Sequence, residues 1–457
     1  MLLRRFSQNA PKTLRTLTYP VGDGKAKYTS LEEAVKFVKT GDTIFPSACA
    51  ATPSDLLKEM CRQVDQGRIE RVKIVNTLIE GGAPFEDPKY YDKVRSNTLF
   101  ITSSTRKLIQ AGHADYTPIF LSEISKLFLT FRQPVDVAMV TISPPDKHGN
   151  CTLGVAADCS IDATRAAKVI IGEETPSMPR TFGDTQIHIS QLDAVVKSNR
   201  PIFAQEETNA APDENIAKIG KLIADNLVDD GATLQIGIGA IPDAACVELI
   251  HHKDLGVHTE LVSDGVVDLI ERNVLTNARK TLDQGKLVTS FAFGTRKFYD
   301  YIDNNPLFVF RSASYTNNPT IIQQHHKMTS INSCIEMDIT GQIVSDSIGT
   351  KYYSGFGGQV DFVYGASAAP EGKAIIALTS CTGKGDSKIV PYLKHGAGVV
   401  TTRGHAQYIV TEYGIANLWG KSVRQRAYEL IQIAHPKHRE MLEKGAFEIM
   451  KCMPSKD

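Results

Sequence analysis

Short β-rich apolar runs alternate with amphipathic helical runs along most of the chain, and this change of period leaves few folds open. DTIFPSA precedes TPSDLLKEMCRQV, ATLQIGIG precedes IPDAACVELIHHK, and LGVHTELVS precedes DGVVDLIERNVL, with RVKIVNTLI a further strand between helices. Strands separated by helices of about 10–15 residues build βαβ units, whose strands must lie parallel. The pattern predicts an α/β fold with mainly parallel sheets. At roughly 100–200 residues per domain, a chain of 457 residues holds two or three domains.

The polar stretch Gln205–Glu214, QEETNAAPDE, interrupts the alternation and is followed by the helical run IAKIGKLIADNL, which places a boundary near residue 210. Domains of 21–210 and 211–457 are expected. A faint repeat relates them: GDTIFPSACAATPSDLLKEM from Gly41 and GATLQIGIGAIPDAACVELI from Gly231 both read Gly-x-Thr, an apolar strand, small residues, a Pro, an acid and a helix. Two related α/β halves account for this; chance likeness between two βα units is the alternative.

The first stretch is of another kind. MLLRRFSQNAPKTLRTLTYPVG carries Arg4, Arg5, Lys12 and Arg15 and has no acid before Asp23. On a helix Leu2, Leu3 and Phe6 share a face flanked by arginines, the composition of a mitochondrial transit peptide. A leader over 1–20 and a place in the mitochondrial matrix are expected; a basic N-terminus without a targeting role is the alternative. Lys+Arg and Asp+Glu both number 51, so there is no basic excess to suggest a nucleic-acid partner. Apolar runs such as Val137–Ile142 are far short of the ~20 residues that span a bilayer. Eight scattered cysteines with no CxxC pair argue against a disulfide framework or a zinc site.

Three segments can carry chemistry. In Gln235-Ile-Gly-Ile-Gly-Ala-Ile-Pro-Asp243 a strand runs into a glycine turn, and Pro242 suits the first position of a helix. Gly237 and Gly239 let a ligand approach the backbone, and the N–H groups of a helix start favour an anion. GxGxxG is not completed, because Pro242 holds its last position. In Leu255-Gly-Val-His-Thr-Glu-Leu-Val-Ser-Asp264, Val257, Thr259 and Leu261 alternate against His258 and Glu260, which puts Glu260 near the carboxyl end of a strand. Ligands of open α/β sheets bind outside those ends, so the glycine turn and the carboxylate are aimed at one crevice; a rim charge is the alternative for Glu260 taken alone. In Ser354-Gly-Phe-Gly-Gly-Gln-Val-Asp361 the glycines suit close approach or oxyanion donation, and a bulge or turn suits them as well. Lys384, in Thr382-Gly-Lys-Gly-Asp386, offers a cation without the spacing of a P-loop. There is no GxSxG or HExxH, the pairs His251-His252 and His325-His326 are not spaced to chelate, and His148 in PPDKHGN reads as a turn residue. No metal site is expected.

GIGAIPDA, HTELVSDGVVDLIE, NNPTII, INSCIEMDITGQI, GFGGQVDF and TTRGHAQYIVTEYGIANLWGKS follow one another, with SPPDKHGN in the first half. On these motifs the chain resembles the acetyl-CoA hydrolase/transferase family, and within it the 4-hydroxybutyrate and acetate CoA-transferase group, over nearly all of its length after the leader. The family is similar to class I CoA-transferases, with two related α/β domains. The resemblance implies that Glu260 is the catalytic nucleophile. It implies that Gly237, Ile238, Gly239, Ala240 and Ile241 contact coenzyme A, together with Ser354, Gly358 and Lys384. It sets aside Glu336 in SCIEMD, the other acid that invites the role. A glutamate with an ordinary pKa of about 4.3 is ionised at neutral pH and can exchange acyl groups by covalent, ping-pong chemistry. Coenzyme A is then a substrate, and no cofactor or metal is needed. The partners expected are acyl-CoA and short-chain carboxylic acids, acetate and succinate first, with 4-hydroxybutyrate, propionate and butyrate open. Hydrolysis of acetyl-CoA on the same glutamate is the alternative activity. A homodimer is expected, with no nucleic acid and no membrane.

Overall fold

The computed structural model describes residues 13–206, 213–237 and 239–457. The chain divides into two compact units: one takes the chain up to Glu206 with Thr289–Tyr315, the other the chain from there to Val288 and Thr316–Asp457. The boundary expected near residue 210 falls in 207–212, outside the described residues. A single cut there assigns Thr289–Tyr315 to the second half, whereas the segment packs in the first unit. Strand pairing is the reason. Phe308–Phe310 runs parallel to Phe182–Gly183, and Ser312 Oγ donates to Asp162 Oδ2 over 2.5 Å.

The first unit is built on a seven-stranded sheet, in the order Ala194–Lys197, Val169–Glu174, Val137–Ile142, Thr43–Pro46, Val72–Asn76, Val94–Thr98, Ala114–Tyr116. Every pairing in it is parallel. Its central strands are apolar on both faces because both are covered: Ala138, Val140 and Ile142 enter one core cluster with Phe45 and Phe128, and Val137 and Met139 enter another with Ile44 and Leu56. In the second unit the order is Gly414–Asn417, Tyr408–Thr411, Lys373–Ala377, Met328–Ser333, Thr233–Ile236, Gly256–Val262. The Tyr408–Thr411 and Gly414–Asn417 pair is antiparallel and the others are parallel.

The repeat has a topological basis. Thr43–Pro46 lies between the next strand of the chain and the later Val137–Ile142. Thr233–Ile236 lies between Gly256–Val262 and the later Met328–Ser333 in the same way. Each strand sits where its sheet's order reverses, the place where α/β sheets bind ligands.

Residues 1–12 of the expected leader lie outside the described residues, but its last part belongs to the first unit. Arg15 donates from its backbone N–H to Arg165 O over 2.8 Å and from its side chain to Gln191 O and Asp193. Leu17 is buried in the core and its carbonyl accepts from His188 N. All eight cysteines are free. Burial pushes the thiols of Cys61, Cys151, Cys246 and Cys334 up to about 12, so they stay protonated near neutrality.

Candidate active site

The second unit's parallel strands share one carboxyl edge, and the turn at Gly237, Glu260 and the loop of Lys384 lie along it. After Ile236 the chain turns at Gly237, whose N–H donates to Ile331 O over 3.1 Å. Gly239 caps the following helix with φ +121°, a conformation other residues rarely adopt. That cap starts the helix at Ala240, two residues earlier than Pro242 suggests. Pro242 is tolerated third because the first N–H groups of a helix have no partner within it. Gly239 and Ala240 are exposed and Ile241 is half-buried. Ile238 lies outside the described residues.

Glu260 is the fifth residue of the strand Gly256–Val262. The other residues of that strand are buried on both faces, so the alternation in its sequence marks no solvent face. Thr259 Oγ1 donates to Ile236 O over 3.1 Å and ties the strand of Glu260 to the strand that feeds the glycine turn. Glu260 is left half-buried, and Asn317 Nδ2 donates to its Oε2 over 2.9 Å.

Gly358 closes the other side. A Cβ there would lie 2.1 Å from Glu260 Oε2 and 2.1 Å from Asn317 Nδ2, so only glycine lets the backbone come this near. It caps the ten-residue helix Gln359–Ala368. The carboxylate thus stands at a helix N-terminus, where unpaired N–H groups and the positive end of the dipole favour negative charge. A half-buried carboxylate, an amide on one of its oxygens and a helix start at its side can act as a nucleophile with donors for an oxyanion.

Ser354, Lys384, Glu336 and His148 have other partners. Ser354 is half-buried, and its hydroxyl donates to Ser345 O and Gly355 O over 3.2 Å each. Lys384 is exposed in a loop closed by Thr382 N donating to Asp386 O over 2.8 Å. That loop follows the strand Lys373–Ala377 and so emerges at the same sheet edge as the glycine turn. Glu336 is in a different setting: it is buried and accepts from Lys394 Nζ over 2.7 Å and from Lys394 N over 3.0 Å. His148 sits in a turn, its N–H donating to Asp146 Oδ1.

Asn317 lies inside the NNPTII motif but no local pattern marked its role. Beneath Glu260 lies a buried polar group that the sequence did not disclose either. His258 and His325 are both buried with ring centroids 4.6 Å apart. Lys280 is buried and donates to Val257 O and Lys286 O over 2.9 and 2.6 Å. Burial lowers Lys280 to about 7, and burial together with the Lys280 charge lowers His325 to about 3. Among the described residues no group of three or more His, Cys, Asp or Glu side chains could hold a metal ion, and no helix is long and apolar enough to cross a membrane.

Residues 23–205 match the acetyl-CoA hydrolase/transferase N-terminal domain, and residues 294–446 match the C-terminal domain of the same family. The chain is 50% identical over 426 residues to a succinyl-CoA:acetate/propanoyl-CoA:succinate CoA transferase of Fasciola hepatica, covering 93% of this chain and 88% of that protein. It is 42% identical over 422 residues to a 4-hydroxybutyrate coenzyme A transferase of Clostridium kluyveri, covering 92% and 96%. Its fold is similar to the crystal structure of 4-hydroxybutyrate CoA-transferase from Porphyromonas gingivalis, with a TM-score of 0.78, 35% identity and coverage of 93% and 97%. The chain belongs to the acetyl-CoA hydrolase/transferase family. It is an enzyme of the CoA-transferase kind, with the α/β fold of class I CoA-transferases.

Proposed function

We propose that this enzyme moves coenzyme A from acetyl-CoA to succinate through a covalent glutamyl-CoA thioester on Glu260. The observation that carries the reading is the meeting of Glu260, Asn317 and Gly358 at the start of the helix Gln359–Ala368. The carboxylate attacks the acetyl thioester carbonyl and expels CoA thiolate, leaving a mixed anhydride. The thiolate attacks the glutamyl carbonyl and releases acetate, which leaves CoA on Glu260. Succinate then attacks that thioester, and the returning thiolate takes the succinyl group and restores the carboxylate. The Asn317 amide and the helix start serve the oxyanion of each tetrahedral intermediate. Gly237–Ile241, Ser354 and Lys384 bind coenzyme A as a substrate in this reading, and no cofactor or metal takes part.

The acid pair rests on the relatives and on the basic leader, which points to the mitochondrial matrix. One methylene changes a pocket's discrimination by only ~1–3 kcal/mol, so a panel of acceptor acids against acetyl-CoA ranks succinate, propionate, butyrate and 4-hydroxybutyrate. The leader proposed over residues 1–20 is tested by a fusion lacking residues 1–12, the part before the first-unit contacts of Arg15 and Leu17, which should lose mitochondrial import. A homodimer belongs to the same reading and is checked by mass in solution. Transferase and hydrolase differ in what resolves the covalent intermediate, an acid or water. Acetyl-CoA consumption should rise at least ~100-fold, about 2.7 kcal/mol of barrier, when a good acceptor acid is added. Initial-rate plots in both substrates should give parallel lines. Release of CoA at the same rate with and without a carboxylate would make the enzyme a thioesterase.

A further inference from the structure

His258 is wholly buried, two residues before Glu260 on the same face of the strand. A ring nitrogen in such a place needs a partner, and Nε2 lies 2.9 Å from Thr316 O. A carbonyl only accepts, so Nε2 carries the hydrogen. Thr316, also buried, then donates from Oγ1 to Asn317 Oδ1 over 3.0 Å. That bond decides which way the Asn317 amide faces. Its oxygen is taken by Thr316, so its NH2 group is the end that reaches Glu260 Oε2 at 2.9 Å. With the amide reversed, a carbonyl oxygen would meet a carboxylate oxygen. Three hydrogen bonds in series therefore join His258 to the nucleophile, and Thr316 is held at its carbonyl while it holds Asn317 with its hydroxyl. The His258 ring also lies 6.3 Å from the ring of Phe362, on the helix that Gly358 caps. It thus touches both segments that bracket the carboxylate.

We propose that His258 is a positioning residue for acyl exchange: by gripping the Thr316 carbonyl it sets the corner from which Asn317 aims its amide at Glu260. The inference rests on the reading of Glu260 as the nucleophile. His258 makes no contact with substrate in this role and transfers no proton. What it supplies is a fixed donor on one carboxylate oxygen as that oxygen becomes part of an anhydride and then of a thioester.

The test uses the full-length enzyme with acetyl-CoA and an acceptor acid. His258→Phe fills the space without a donor and should lower kcat about 30-fold, with KM for acetyl-CoA moving less than about 3-fold. His258→Gln places an amide N–H near the Nε2 position and should recover activity to within about 3-fold of the parent. In an Asn317→Ala background His258→Phe should cost little more, because both changes break one series. Thr316→Val keeps the carbonyl and removes the hydroxyl, and should reproduce the kcat loss even where His258→Phe fails to fold. Unchanged kcat in Thr316→Val, or losses from His258→Phe and Asn317→Ala that simply multiply, would overturn the role. Glu260→Ala run alongside separates the two claims: if it is inert while Thr316→Val is fully active, only the positioning claim falls, and if it turns over normally the nucleophile assignment falls first.

Discussion

Two carboxylates of the second unit, Glu260 and Glu336, look equally available as letters in a sequence and are opposite as chemistry. Glu336 is 2% exposed and its two oxygens are taken by the Lys394 ammonium and backbone N–H. Glu260 is half-buried, with a neutral amide on Oε2 and the start of a helix beside it. An ammonium in contact lowers the energy of a carboxylate's lone pairs and blocks their path. An amide orients a carboxylate without neutralising it and can also donate to an oxyanion. The contrast is one of environment, since both residues come from β-strands.

The largest effect expected from this contrast is on Glu260 itself. If Glu260 is the nucleophile as proposed, Glu260→Ala should lower kcat by ~10⁴-fold or more while the protein stays folded and still binds acyl-CoA. Steady-state rates beside acyl-CoA titration check it, and substantial turnover with retained binding would refute it. Gly358→Ala comes next. The backbone there, at φ −97°, accepts alanine, but the new methyl must push aside Glu260 and Asn317. A shift of about 1 Å at reacting groups costs ~100-fold. Kinetics should show that loss with a nearly unchanged melting temperature, since the displaced atoms are side-chain ends. Glu336→Gln should do the reverse, costing ~1 kcal/mol of stability through the partly exposed Lys394 pair and leaving kcat within about 3-fold. Chemical denaturation measured together with kinetics reads both; a dead Glu336→Gln enzyme would exchange the roles of the two acids.

The smallest effect on turnover is expected at Lys280, where stability is the readout. An ordinary lysine titrates near ~10.4, and Lys280 in the folded protein near about 7. Between these values the unfolded chain holds a proton that the folded chain lacks. Stability therefore rises with pH across that window and loses the slope below about 7. Lys280→Met should flatten the melting temperature between pH 7 and pH 10 relative to the parent. Parallel profiles would show that the ammonium stays charged in the fold.

How much of this was legible in the sequence follows from the range of the interactions. The βα alternation is local, and it announced parallel sheets and the place of Glu260 near a strand's carboxyl end. The repeat at Gly41 and Gly231 announced the matched positions of Thr43–Pro46 and Thr233–Ile236 in their sheets. The glycines of GFGG announced a close approach, though not to what. Asn317 could not be assigned because its partner lies 57 residues away, and the His258 to Thr316 bond spans 58. The helix start was misjudged by two residues because a glycine at positive φ can cap a helix before a proline does. Thr289–Tyr315 carries no shift of composition, so its return to the first unit is visible only in the pairing of Phe308–Phe310.

The most direct test of the central claim is a mass measurement on the covalent intermediate. The enzyme is incubated with acetyl-CoA and no acceptor acid, quenched with borohydride, digested, and its peptides are weighed. Borohydride reduces a glutamyl thioester to an alcohol, so the peptide carrying HTELVSDG should hold a reduced side chain at Glu260. The unreduced sample should carry CoA on that peptide, and the peptide carrying SCIEMD should be unchanged in both. An adduct on Glu336, or CoA released with no peptide modified while turnover proceeds, would contradict the account.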